Sequence, residues 1–117
     1  MAIPAHLLPH QVVIVRPATA TDAYNNTVLD HDAATRTTVA GWLQQDQRAD
    51  YFPDGRAPVE QRWLLLTNHA DIATGDRVEW AGHPSGAVTF DVHGPPEPAY
   101  DAGSYHHTET TLRLLAG

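Results

Sequence analysis

Two short segments of alternating apolar and polar residues constrain the fold more than any other feature of this sequence. Residues 76–80 (Asp-Arg-Val-Glu-Trp) and residues 87–93 (Ala-Val-Thr-Phe-Asp-Val-His) alternate with a period of two. This period predicts strands that bury one face. The cluster of Gly, Pro and Ser at residues 81–86 predicts a hairpin whose loop is longer than two residues. We expect a third strand, residues 105–115, to close a meander after a connection at residues 97–104.

Further strands are predicted in the first third of the chain. Residues 11–16 are a β-branched run that we expect to end at Pro17, because proline cannot donate a ladder hydrogen bond. A polar segment, residues 18–34, follows. Within it, Asn-Asn at positions 25–26 predicts a turn, since asparagine tolerates left-handed backbone conformations. Residues 27–29 add a short strand.

The middle of the chain contains two further predicted strands separated by a loop. Residues 35–45 predict a strand rich in Thr and Val, and residues 60–66 form the most apolar stretch and predict a central strand. Between them, residues 44–58 predict a long loop, and residues 1–10, with two prolines, predict an irregular arm. The whole chain, residues 1–117, is therefore predicted to be all-β: a small single-domain β-barrel or sandwich of six or seven short antiparallel strands with long loops.

Composition narrows the classes of function. The 117 residues are 42% hydrophobic and 18% charged, which is typical of a folded domain, and there is no cysteine to form a disulfide or a thiolate site. No run approaches the roughly 20 apolar residues of a membrane-spanning helix, and the N-terminus lacks a signal-peptide pattern, so we expect a soluble protein made in the cytoplasm. The net charge is −7 and the seven basic residues, all arginine, are scattered along the sequence, which predicts no basic patch for nucleic acid.

Eight histidines invite the hypothesis of a metal site, with His106, His107 and Glu109 as its centre. On a regular strand, His107 and Glu109 would point to one face and His106 to the other, so this pair would not chelate one ion. We expect no metal, no cofactor and no catalytic residue. Ser85 and Ser104 lie in predicted turns without the context of a nucleophile. Histidines at a subunit contact would instead make assembly sensitive to pH between about 5 and 7.

Six segments of the sequence, taken in chain order, resemble segments of a known protein family. These are Asp22-Ala23-Tyr24-Asn25-Asn26, Val39-Ala40-Gly41-Trp42-Leu43, Glu60-Gln61-Arg62-Trp63-Leu64-Leu65-Leu66, Gly75-Asp76-Arg77-Val78-Glu79-Trp80-Ala81-Gly82, Phe90-Asp91-Val92-His93-Gly94-Pro95-Pro96 and His106-His107-Thr108-Glu109. From about residue 11 to 115, the chain resembles the head–tail connector proteins of tailed bacteriophages, in particular the head-completion or stopper group.

The resemblance implies a structural virion protein and not an enzyme. Such a protein forms a homo-oligomeric ring, a hexamer by resemblance, below the portal and its adaptor at the head–tail junction. It helps to retain packaged DNA, which passes through without sequence-specific binding, and it docks the tail-terminator or tail tube protein. A ring needs two different complementary surfaces on each subunit. The candidate interface residues are Tyr51, Phe52, Arg56, Tyr100, Tyr105, His106 and His107, together with the arm at residues 1–10.

Two other functions stay open at this point. A tail-terminator or minor tail protein could use a similar fold, although we would expect helices flanking its sheet. A metal-dependent β-barrel enzyme would need the histidines to converge on one ion.

Overall fold

The computed structural model describes residues 2–45 and 61–116. These residues contain seven antiparallel strands and one short 3-10 helix. The helix is Ala5–Leu7. The strands are β1 His10–Thr21, β2 Thr27–Gln45, β3 Arg62–Thr67, β4 Arg77–Trp80, β5 Val88–Val92, β6 Glu97–Asp101 and β7 Ser104–Ala116. The all-β prediction is confirmed.

Six of these strands pair in a closed cycle, in the order β2, β1, β4, β5, β7, β3 and back to β2. The last pairing, of β3 with β7, joins two strands that would otherwise be edges and makes β3 a central strand, as predicted. Strand β6 pairs only with β7 within the described residues. Closure satisfies the backbone groups that an open sheet would leave unpaired.

The barrel interior is filled by the apolar residues of the alternating segments. In the predicted hairpin, β4 pairs with β5, and Val78 and Phe90 lie directly opposite each other with no exposed surface. Val12, Leu65 and Leu112 are likewise fully buried. This packing leaves little room for a side chain at position 41, because a Cβ there would lie 2.7 Å from Cδ1 of Leu65. Residues one step along each strand face outward, as period-two alternation requires.

The prediction that the first strand ends at Pro17 is wrong. Strand β1 continues to Thr21, and β2 begins at Thr27 and runs without a break through both segments predicted separately. The register shifts between Arg16 and Ala18, so Pro17 lies at an irregularity where its missing N–H interrupts no regular ladder. The predicted turn is confirmed at residues 22–26, where Asn25 has φ of 66°.

Two further boundaries differ from the sequence predictions, and the N-terminal segment makes a contact that the sequence did not indicate. The connection at residues 97–104 contains β6, which forms a hairpin with β7. The start of the predicted loop at residues 44–58 belongs to β2, and the remainder of that loop lies outside the described residues. The N-terminal segment is tied to the barrel, because the backbone N–H and C=O of Ile3 both hydrogen-bond the side chain of Asn68, at 3.0 and 2.9 Å.

Candidate functional site

The hairpin of β6 and β7 brings four of the predicted interface residues together. The rings of Tyr100 and Tyr105 meet edge to face with centroids 6.4 Å apart, and Tyr100 is 65% exposed. The rings of His106 and His107 follow directly, with centroids 5.0 Å apart. The three remaining candidates, Tyr51, Phe52 and Arg56, lie outside the described residues.

The expectation that His106 and His107 point to opposite faces is wrong. A register shift between Ala99 and Tyr100 leaves His106 unpaired at a bulge, which turns its ring toward its neighbour. Their Nδ1 atoms are 2.7 Å apart, so one Nδ1 donates a hydrogen bond and the other accepts it. The Nε2 atom of His107 is buried and lies 3.7 Å from Oε1 of Glu109.

The two rings contact each other, and His107 also lies near Glu109. Among the residues that the structure describes, no group of three or more His, Asp or Glu side chains converges in a way that could hold a metal ion.

A second projecting feature, which sequence analysis missed, is the outer half of the β1–β2 hairpin. In the part of the chain that the structure describes, residues 18–21 pair only with residues 27–30, beyond the last residues of β1 that also pair with β4. We call residues 18–32 the acidic arm, because they contain Asp22, Asp30 and Asp32 and no arginine or lysine. Its tip exposes 85% of Tyr24, and its second strand exposes Val28 and Leu29.

The root of the acidic arm is fixed to the loop before β4. Nε2 of His31 lies 3.2 Å from the carbonyl oxygen of Gly75, whose φ of 99° favours glycine. Arg16, just before the register shift, binds the buried Asp76 through Nε and a terminal nitrogen, at 3.1 and 2.9 Å. It also donates to Asp71 at 2.7 Å.

These contacts perturb the ionisation of the arginine and of its exposed partner. Hydrogen bonds to Asp76 and then to Asp71 raise the pKa of Arg16. The hydrogen bond from Arg16, and then its charge, lower the pKa of Asp71 below its ordinary value. Asp76 also accepts a hydrogen bond from the N–H of Ala73 at 2.9 Å, so this buried carboxylate joins β1 to the loop.

Three arginines that are far apart in sequence lie at one level of the barrel. Cross-strand pairing places Arg77 opposite Asp91, Asp91 opposite Arg113, and Arg113 opposite Arg62. Arg77, Asp91 and Arg113 alternate with buried residues, so their side chains lie on the outer surface. The exposed Arg62 lies at the same level on the neighbouring strand β3. We call these four residues the basic face.

The sequence predicts only part of the arrangement of the basic face. Alternation with core residues such as Val78 and Leu112 predicts that Arg77 and Arg113 point outward. Their common level depends on the register of strands far apart in sequence, which the pattern of a single strand does not define.

Ser85 meets a histidine, although sequence analysis placed it in a turn without catalytic context. Its Oγ lies 2.7 Å from Nδ1 of His83, and its backbone N–H donates to the same nitrogen at 3.1 Å. The N–H of Gly86 donates to the carbonyl oxygen of His83 at 2.9 Å, so these contacts close the β4–β5 turn. The ring of His83 packs edge to face against Trp63 and Trp80.

No protein-family model matches this chain, and no curated protein matches its sequence. Across residues 2–45 and 61–116, no helix is both long and apolar enough to cross a membrane.

Proposed function

We propose that this protein is a structural component of the phage head–tail junction, where copies of it form a ring below the portal and its adaptor. The ring helps to retain packaged DNA and presents a docking surface for the tail. The observation that carries this proposal is a self-closed barrel with two separate projections that expose aromatic side chains. The sequence resemblance to stopper proteins supplies the location in the virion.

The barrel pairs its own strand edges, because its six strands form a closed cycle. The projections are different. Residues 18–21 and 27–30 form a two-stranded hairpin, and such hairpins are marginal in water without a packing partner. The exposure of Tyr24 and Tyr100, on different hairpins, supports two distinct contact surfaces. Two unlike surfaces on each subunit are what a ring needs.

Net charge agrees with a channel through which DNA slides. The chain carries a formal charge of −7, which repels the phosphate backbone on average. We therefore propose protein contacts, and no sequence-specific DNA contact, as the source of assembly.

The test uses purified full-length protein and DNA-filled, tailless heads. We expect saturable co-pelleting with the heads, protection of their DNA against leakage and nuclease, and competence of the heads to accept tails. Heads that already carry a bound stopper ring serve as the matched control, because their site is occupied.

Any other outcome would contradict the proposal. Binding to tail tubes and not to heads would favour a tail-terminator or minor tail protein. Binding to neither would reject a place at this junction, and metal content with activity screening would then test the enzyme alternative.

A further inference from the structure

The two hairpins that project from the barrel leave it at the same end. Strands β2 and β7 both pair antiparallel with β3, so they run in the same direction. The acidic arm lies at the start of β2, and the tip of the β6–β7 hairpin lies at the start of β7. The loop of residues 68–76, which follows β3, contacts both hairpins. Nε2 of His31 lies 3.2 Å from the carbonyl oxygen of Gly75, and the hydroxyl of Tyr105 donates to the carbonyl oxygen of Asn68 at 3.3 Å.

The carboxylates of these two hairpins differ from those of the rest of the described chain. The others all bind an arginine: Asp71 and Asp76 bind Arg16, Glu79 binds Arg36, and Asp91 binds Arg113. The arm contributes three carboxylates and the β6–β7 hairpin contributes Glu97, Asp101 and Glu109. Within the described residues, none of these six forms an ion pair with an arginine, and neither hairpin contains arginine or lysine. Negative charge is therefore concentrated at this end of the barrel.

Each hairpin tip also exposes a tyrosine within two residues of a carboxylate. In the arm, Oδ1 of Asp22 accepts the backbone N–H of the exposed Tyr24 at 2.9 Å. In the β6–β7 hairpin, the exposed Tyr100 precedes the exposed Asp101. A guanidinium group suits both kinds of side chain, because its planar face stacks on an aromatic ring and its N–H groups bind a carboxylate in pairs. The ammonium group of lysine lacks this planar fork.

We infer that the acidic arm and the β6–β7 hairpin together dock an arginine-rich surface of a partner protein. Arginines of the partner supply the positive charge that the hairpin carboxylates do not receive from their own chain. Tyr24 and Tyr100 stack with these arginines, and the exposed Val28 and Leu29 add apolar area. The inference goes beyond the proposed function, because it assigns the chemistry of a partner at one end of the barrel and does not require that copies of the chain form a ring.

Other occupants fit this end of the barrel less well. A nucleic acid would meet six carboxylates and no basic residue on the hairpins, so its phosphates would be repelled. A second copy docked through the same end would set carboxylates against carboxylates. A single metal ion finds no site, because no group of three or more His, Asp or Glu side chains within residues 2–45 and 61–116 could hold one. A basic protein surface satisfies both the charge and the exposed aromatic rings.

The test measures binding of a hexa-arginine peptide with blocked termini to the purified full-length chain, by the backbone amide shifts in NMR spectra at low ionic strength. We expect saturable shifts in residues 18–32 and 97–109 and none in the β4–β5 turn, which lies at the opposite end because β4 runs away from the loop of residues 68–76. Affinity should fall as salt is added, since exposed charges are screened. A hexa-lysine peptide should bind about threefold more weakly, because lysine stacks less well and binds carboxylates at one point.

Two variants remove charge from the hairpins and keep their hydrogen-bond acceptors. D22N/D30N changes the arm but leaves the Oδ1 atoms that accept backbone N–H groups, and E97Q/D101N changes the β6–β7 hairpin. Each should weaken binding of hexa-arginine by about fivefold, since every exposed charge contact contributes about two- to threefold. Q11K/Q44K is the matched control, because it changes the net charge by the same two units at exposed positions on the barrel, and it should weaken binding much less. Circular dichroism and urea midpoints establish that each variant is folded.

Four results would overturn the inference: no binding at millimolar peptide, shifts spread evenly over the barrel, hexa-lysine that binds as tightly as hexa-arginine, or a loss in Q11K/Q44K as large as that in the hairpin variants. The outcome is separate from that of the head-binding test. A chain that binds the peptide in this way but ignores phage heads would retain the inference and lose the proposed function. A chain that binds heads but whose hairpins ignore the peptide would lose only the inference.

Discussion

Replacing the buried Asp76 with alanine should destabilise the protein far more than the same replacement at Asp71, although both carboxylates bind Arg16. The side chain of Asp76 is 3% exposed and that of Asp71 is 74% exposed. Asp76 accepts two hydrogen bonds from Arg16, at 3.1 and 2.9 Å, and one from the N–H of Ala73, at 2.9 Å. Hydrogen bonds to charged groups contribute about 1.5–3 kcal/mol each, and removal of a buried charge returns part of that sum, so we expect a net loss of about 2–4 kcal/mol.

Urea unfolding at neutral pH, followed by the fluorescence of the core tryptophans Trp63 and Trp80, measures this difference. The D76A midpoint should fall while the slope with urea stays unchanged, because the unfolded surface is the same. A double-mutant cycle with Arg16→Ala should give a coupling energy above about 1 kcal/mol for Asp76, since the two side chains are in direct contact. Equal losses for D71A and D76A, or additive effects of Arg16 and Asp76, would refute the reasoning from burial.

Three further predictions follow from the core and from the exposed ion pair. Phe90→Ala should cost about 3–5 kcal/mol in urea unfolding, because this fully buried ring would leave a cavity; a loss below about 1 kcal/mol would contradict the packing. Gly41→Ala should cost about 1–3 kcal/mol by the same assay, because the new Cβ would meet Leu65 at 2.7 Å; unchanged stability would show that the contact relaxes freely. Because its pKa is lower in the folded state, Asp71 adds stability above its ordinary pKa of 3.8 that is lost as the pH falls through the folded value; D71N should remove this part of the acid dependence of the urea midpoint, and an unchanged pH profile would contradict it.

The sequence predicted the fold best where a strand buries one face and pairs with a strand that is close to it in the sequence. The β4–β5 hairpin was predictable because Val78 and Phe90 alternate with polar or charged residues on both sides of an evident turn. The end of β1 was not, because Pro17 normally stops a strand and here lies at a register shift. Polar composition likewise concealed the arm, since neither of its strands buries a face that would impose a hydrophobic period.

Local sequence patterns were also insufficient to predict the candidate surfaces. Tyr100 and Tyr105 were predicted as exposed aromatic residues of a connection, and their proximity follows from a hairpin that the sequence did not indicate. His106 and His107 were assigned to opposite faces by the rule for regular strands, and one unpaired residue at a bulge reverses that result. Register and bulges arise from tertiary pairing, so local patterns do not contain them.

Closure of the barrel separates the residues that hold the fold from those that are available for assembly. The apolar core and the six-strand cycle are formed within one chain, whereas the acidic arm lies beyond the cycle and the basic face lies on its outer surface. A charge change on Asp32 should therefore have little effect on the urea midpoint, because this residue of the arm is exposed. Replacement of Asp76 should lower the midpoint, because the pair it forms with Arg16 contributes to stability and also holds the root of the arm. A variant of the arm that lost stability as fully as D76A would show that the arm is part of the folding core and not a surface reserved for a partner.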